Sequence, residues 1–186
     1  MLERRAVVVL IIIAGVVAAV VFTAYLGTTA GTNSSGGNLP NPYVNKAYAF
    51  SVQYPQGWKG YENYKIGNTT SAVTFFGTNS SISIIAQPIS PSQTLASLDS
   101  ASKQATLGNH NGYTMILRSE GTGIVSHVAA SVRIWLRESP QGSYQEETFH
   151  LIYRGYVYSI GFISRADTYD ADVATFNHFL GTFTFY

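Results

Sequence analysis

Tyr48, Ala49, Phe50, Ser51, Val52, Gln53 and Tyr54 alternate large apolar with small or polar side chains, and Pro55, Gln56, Gly57 and Trp58 follow at once. A period of two places Tyr48, Phe50, Val52 and Tyr54 on one face, the pattern of a half-buried strand. Pro55 ends that strand, Gly57 permits a tight turn, and Trp58 is brought back over the edge of the core.

The same period recurs along the chain. It predicts strands over 61–66, 72–76, 81–86, 113–119, 129–137, 144–153, 156–163 and 182–185. Ser139, Pro140, Gln141 and Gly142 suit a type I turn joining two of them, and Arg154 and Gly155 make the next reversal. Glu120 to Gly123, with two glycines, reads as another loop tip.

Two helices interrupt the strands. Ser90, Pro91 and Gln93 form a capping box ahead of Leu95, Leu98, Ala101 and Ala105, with a stop near Gly108. A second helix runs from about Thr168 to Leu180, with Tyr169, Val173, Phe176 and Leu180 on one stripe and Gly181 as its stop. One apolar face per helix over a mainly antiparallel sheet predicts an α+β layered domain, preceded by one transmembrane helix.

Phe50 to Trp58 resembles the entry motif of PsbP-like domains. Tyr156 to Ile163, the helix with Tyr169 and Phe176, and then Gly181, Thr182 and Phe183 are similar to that family's closing strand, helix and short strand. The resemblance covers residues 43–186 and implies a compact sheet domain that acts by binding, like the extrinsic subunit that supports ion retention at photosystem II. Relatives include bacterial envelope lipoproteins and a Ran-binding import factor. The chain departs from the photosynthetic type in having an apolar run and a polar tether where that type has a transit peptide, which puts a photosystem role in doubt. No metal-binding residue of the family aligns with a position here.

Ala6 to Leu26 is an uncharged run of 21 residues preceded by Glu3, Arg4 and Arg5. As a helix it spans roughly 31 Å, the thickness of a bilayer core. A retained single-pass anchor in the cell membrane is the first reading. A signal cleaved near Thr28, Thr29 and Ala30 is the second, although the run is long for one. Arg4, Arg5 and Ala6 also resemble the processing site of pilin-type filament subunits, without the early acidic residue those keep. Arg4 and Arg5 stay cytoplasmic, so the C-terminal domain is expected outside the cytoplasm. Residues 27–42, rich in Gly, Ser, Thr and Asn, form a flexible tether with a reach of about 20 Å.

The globular domain, 43–186, needs no staples, and the chain has no cysteine. Setting Arg4, Arg5 and Glu3 aside from totals of 11 basic and 10 acidic residues leaves nine of each in the domain. This balance argues against nucleic acid as a partner and against docking on anionic lipid. The expected partners are the bilayer, through 6–26, and a membrane-associated protein.

No nucleophile elbow, phosphate loop or cysteine nucleophile is present, and adjacent Glu146 and Glu147 point to opposite strand faces, so no enzyme is expected. A Ser, His and Asp set assembled in space stays open as a hydrolase reading. His110, His127, His150 and His178 lack ligand spacing. Glu146 and His150 share a strand face about 13 Å apart, too far to hold one ion alone, and that face reads as solvated. Asp167, Asp170 and Asp172 suggest calcium, but they lack the glycine and distal glutamate of a calcium loop and read as first-turn acids at a helix dipole, so no cofactor is expected. Arg133, Trp135 and Arg137 alternate with Val132, Ile134 and Leu136. The apolar set faces the core, and the first set either projects outward as an interaction patch extended by Tyr144, Tyr156 or Tyr158, or lies under a helix. Asn33, Asn68 and Asn79 begin glycosylation sequons.

The functional expectation is a non-catalytic, membrane-tethered binding or assembly module. The alternative is a carrier of a small apolar ligand, in a pocket lined by Trp58, Phe176 or Phe179.

Overall fold

The computed structural model describes residues 40–65, 71–110 and 112–186. Its strands are β1 (Tyr43–Asn45), β2 (Phe50–Val52), β3 (Lys59–Lys65), β4 (Ser71–Phe76), β5 (Ser80–Pro88), β6 (Gly108–His110), β7 (Tyr113–Val125), β8 (Val128–Ser139), β9 (Gly142–Tyr153), β10 (Tyr156–Arg165) and β11 (Thr184–Phe185). The helices are α1 (Leu95–Thr106) and α2 (Tyr169–Thr182). Eight strands form one antiparallel sheet in the order β3-β4-β5-β10-β9-β8-β7-β6, and β1, β2 and β11 form a second, three-stranded sheet.

Alternation along the long strands gives the large sheet two covered faces. On the aromatic face, Phe75, Ile82, Ile84, Leu151, Tyr158, Ile160 and Phe162 are buried against Phe176 and Phe179 of α2 and against Phe50 and Phe183 beside the small sheet. Phe176 stacks on Phe162 with ring centroids 4.8 Å apart. Tyr48, Phe50, Val52 and Tyr54 are all buried, as the period of two requires. The opposite face, carried on β7 to β10, lies under α1.

The expected class needs correcting. Strand makes up 56% and helix 19% of the described residues, and the aromatic face is closed by α2 together with a second sheet rather than by helices alone. Among the described residues no helix is long and apolar enough to cross a membrane, so the expected transmembrane helix is not part of the described fold. The run 6–26, the tether up to residue 39, Asn33 and Asn68 lie outside the described residues. Asn41, in the last part of the expected tether, donates from Nδ2 to the Tyr54 carbonyl at 2.7 Å, so the chain is bound to the domain before β1 starts.

Three local readings change. Ser90 and Gln93 do bond reciprocally, but as an isolated turn. The helix itself starts after Thr94, whose hydroxyl and Ser97 form the capping box. Gly181 does not stop α2, which runs to Thr182. Glu120 to Gly123 is strand, and the reversal falls at Ser126 and His127, both at positive φ (49° and 65°). Arg154 and Gly155, at 47° and 80°, form the expected turn, and Ser139 pairs with Gly142 around a two-residue loop.

Trp58 folds back over the core edge against Gly77. A Cβ added at Gly77 would lie 2.6 Å from the indole ring. Gly77→Ala is therefore expected to displace Trp58 and lower stability by about 1–3 kcal/mol. A lower urea midpoint, with red-shifted tryptophan emission in the folded baseline, is the measurement.

Candidate functional site

The main convergence of ionisable side chains lies between α1 and the sheet. Arg133, Trp135 and Arg137 form one row of β8, and each is 2% exposed. Antiparallel register sets Thr148 opposite Arg133, Glu146 opposite Trp135 and His150 opposite Ser131, all on this face. α1 crosses above them with Leu98 buried, and Asp99, Ser102 and Lys103, spaced to share one side of the helix, turned toward the sheet.

All the strand groups named here except Ser131, whose hydroxyl is unpaired, have a partner. Arg133 ion-pairs with Asp99, and its Nε lies 3.6 Å from Glu120, which in turn accepts from Lys103 Nζ at 2.7 Å. Arg137 donates to Glu146 at 3.3 Å and lies over the Tyr113 ring at 4.0 Å. Trp135 Nε1 donates to the Thr148 hydroxyl at 3.2 Å. His150 sits between two hydroxyls, with Nε2 3.2 Å from Ser102 Oγ and Nδ1 2.9 Å from Ser159 Oγ.

Burial sets the protonation of these groups. It pushes the His150 pKa down to about 4, the Arg133 charge adds to the depression, and Asp99 opposes it. Burial raises Glu146 above its ordinary value against the pull of Arg137. Glu147, on the other face, is also raised by burial and accepts from the Tyr169 hydroxyl at 2.9 Å.

Ser102, His150 and Ser159 have the outline of a nucleophile, base and orienting group. A working triad needs a third member that stabilises the imidazolium. Here that place holds a neutral hydroxyl, with Arg133 disfavouring the imidazolium and Asp99 favouring it. The cluster's chemistry is adhesive: it fastens α1 to the sheet.

The five residues expected as an interaction patch do not make one exposed surface. Arg133, Trp135 and Arg137 are buried on the α1 side of the sheet, Arg133 against Asp99 of α1 and Arg137 against Tyr113, whereas Tyr156 and Tyr158 lie on the aromatic face. Tyr158 is fully buried there, and its hydroxyl donates to the Tyr48 carbonyl at 2.7 Å. The face of His150 and Glu146, expected to be solvated, is covered for the same reason. Val132, Ile134 and Leu136 do point to the core side but are only half-buried. The other histidines fall apart: His110 stacks on Tyr113, while His127 and His178 are exposed. Asp167 pairs with Arg165, Asp172 accepts from Ser164 and Thr168, and Asp170 is exposed. The carrier reading needed space beside Phe176 and Phe179. Both rings are fully buried, packed on Phe162, Phe149 and Phe75.

No family model matches the sequence, and no curated protein matches it. The structure is similar to the solution structure of cyanobacterial PsbP (CyanoP) from Synechocystis sp. PCC 6803. The TM-score is 0.63 at 16% identity, over 87% of this chain and 99% of that one. The fold is PsbP-like. A crystal structure from Bacteroides thetaiotaomicron VPI-5482 has a TM-score of 0.53 at 10% identity, over 78% of this chain and 48% of that one. In the PsbP-like domain described here, the two ends of the sequence resemblance meet: Phe50 of the entry motif stacks on Phe183 of the closing segment at 5.2 Å.

Because His150 charges at about 4 when folded and at 6.5 when unfolded, the unfolded chain binds more protons between those values. Stability contributed by this site is complete above pH 6.5 and falls by about 3 kcal/mol as pH drops to 4. Glu146, with its raised value, acts oppositely just above its ordinary 4.5. His150→Gln, which keeps a hydrogen-bonding side chain, is expected to flatten the acid side of a stability-versus-pH curve measured by urea unfolding.

Proposed function

We propose that this protein is a non-catalytic binding module of the PsbP-like type, held at the outer face of the cell membrane and acting on a membrane-associated protein. The attachment is the apolar run 6–26, in a single-pass arrangement that leaves the C-terminal domain outside the cytoplasm. What carries the reading is the self-pairing of the cluster under α1. Arg133, Arg137, Glu146 and His150 are spent on contacts within the domain and are covered, so recognition falls to sheet edges and loops.

Further support comes from the sequence. Arg4 and Arg5 before an uncharged 21-residue run orient a membrane segment with its C-terminal side outward. The domain's nine basic and nine acidic residues leave no net field to draw a nucleic acid.

Photo-crosslinking of the full chain in native membranes, read by mass spectrometry, is expected to capture one membrane protein other than the chain itself, reproducibly, with the chain in the membrane fraction. Recovery of intact, unprocessed chain in the cytosol overturns the location. Co-purification of a small molecule with no protein captured overturns the module in favour of a carrier.

A further inference from the structure

β7 runs for 13 residues, but β6 pairs only with Tyr113 to Met115. From Ile116 to Val125 no strand lies beside its outer edge among the described residues. The two-residue turn at Ser126 and His127 makes Val125 and Val128 a hydrogen-bonded pair, and the alternation of an antiparallel ladder then fixes every other pair. Gly123 and Gly121 bond inward to β8, while the main chains of Glu120, Thr122 and Ile124 point away from it. The hairpin from Ser139 to Gly142 agrees independently: counting back from its closing pair assigns Ser131 and Arg133 to β9 and leaves Ala130, Val132 and Ile134 for β7.

Free edges are normally blunted by proline, lysine, bulges or inward charges. The opposite edge strand, β3, has Lys59 and Lys65 at its ends and a register shift between Glu62 and Lys65. The Ser119 to Val125 segment has none of these. The bulge between Leu117 and Ser119 lies before it, it contains no proline or lysine, and its one charge, Glu120, is held by Lys103. Gly121 has open space around it. Ile124, at 75% exposure, is the most exposed large apolar side chain among the described residues.

We propose that this edge pairs antiparallel with the same edge of a second copy of the chain, about a two-fold axis through Thr122. What points to a second copy is self-complementarity. The register sets Thr122 on Thr122, Glu120 on Ile124 and Gly121 on Gly123, so all three outward main chains meet outward main chains in about six hydrogen bonds. Thr on Thr is a favourable cross-strand pair, no like charges oppose each other, and glycines at the intervening positions remove steric bars. The paired span, Ser119 to Val125, stops short of Met115, the last residue paired to β6, so the free length of β7 accommodates it.

The chain has no cysteine, so one introduced thiol reports one contact. A hydrogen-bonded antiparallel pair holds its Cα atoms about 5.5 Å apart, within disulfide range. Full-length Thr122→Cys, in detergent or lipid discs under mild oxidation, is expected to form a covalent homodimer about tenfold faster than Asn79→Cys, at an exposed hairpin tip elsewhere. Adding Ile124→Pro, which removes an outward N–H that β8 does not use, is expected to return the rate to that of the control. If that variant melts early, Ile124→Glu replaces it and sets a carboxylate against Glu120 of the second copy. Equal rates for Thr122→Cys and Asn79→Cys overturn the proposal, as does cross-linking of Thr122→Cys to a different polypeptide in membranes.

Discussion

Phe176 lies nearly flat on Phe162, with planes 10° apart, and this contact decides where α2 sits on the sheet. Phe149, Phe179 and Phe75 extend it into a continuous aromatic layer, so no single ring moves without disturbing the rest. Truncating a buried phenylalanine in such a setting costs about 3–5 kcal/mol, a large part of the 5–15 kcal/mol that holds a typical domain together. The seating of α2 also delivers Phe183 and Phe185 to the small sheet, so both sheets owe their mutual position to one helix.

The other face is held by different forces. α1 buries only Leu98 fully and otherwise relies on Asp99, Ser102 and Lys103. Burying charge carries a desolvation penalty that pairing only partly offsets. Asp99 Oδ1 and Arg133 Nη1 find no hydrogen-bond acceptor or donor within the protein, so the offset is incomplete. The contacts of α1 fix its register on the sheet more than they add strength. Local opening should start at α1, where apolar contact is thin, before it reaches α2.

Strand periodicity was readable wherever one face meets aromatic rings and the other meets small or polar groups, as at Tyr48 to Tyr54. It failed to rank the faces of β8. Both are covered, and the more deeply buried row is the one containing two arginines, because Arg133 meets Asp99 on a helix 34 residues earlier and Arg137 meets Glu146 on the neighbouring strand. Nothing local to Arg133 announces Asp99. The spacing of Asp99, Ser102 and Lys103 on one side of α1 was the available signal, masked by the expectation that a helix buries an apolar stripe. Gly121 and Gly123 suggested a turn because glycine favours positive φ, yet here Gly123 is small for contact: a Cβ would meet Val132 and Phe149 at 3.0 and 3.1 Å. The true reversal uses Ser126 and His127, residue types that rarely adopt that backbone, and Ser126 Oγ accepts from the Phe185 amide, which helps hold it there. Tandem Ser and Thr residues before α1 offered two capping sites, and Pro91 drew the start to the wrong one.

The three-stranded sheet places β2 between β1 and β11, and the Gln53 amide donates to the Thr182 hydroxyl across 129 residues of sequence. Contacts of such long separation slow folding, because most of the loop must be ordered before the contact forms. As the chain emerges from synthesis, β2 therefore presents Phe50 and Val52 without their final cover until residues near 185 arrive. During that interval the domain is at its most vulnerable to aggregation and to proteases, and its successful maturation is governed by timing as much as by equilibrium stability.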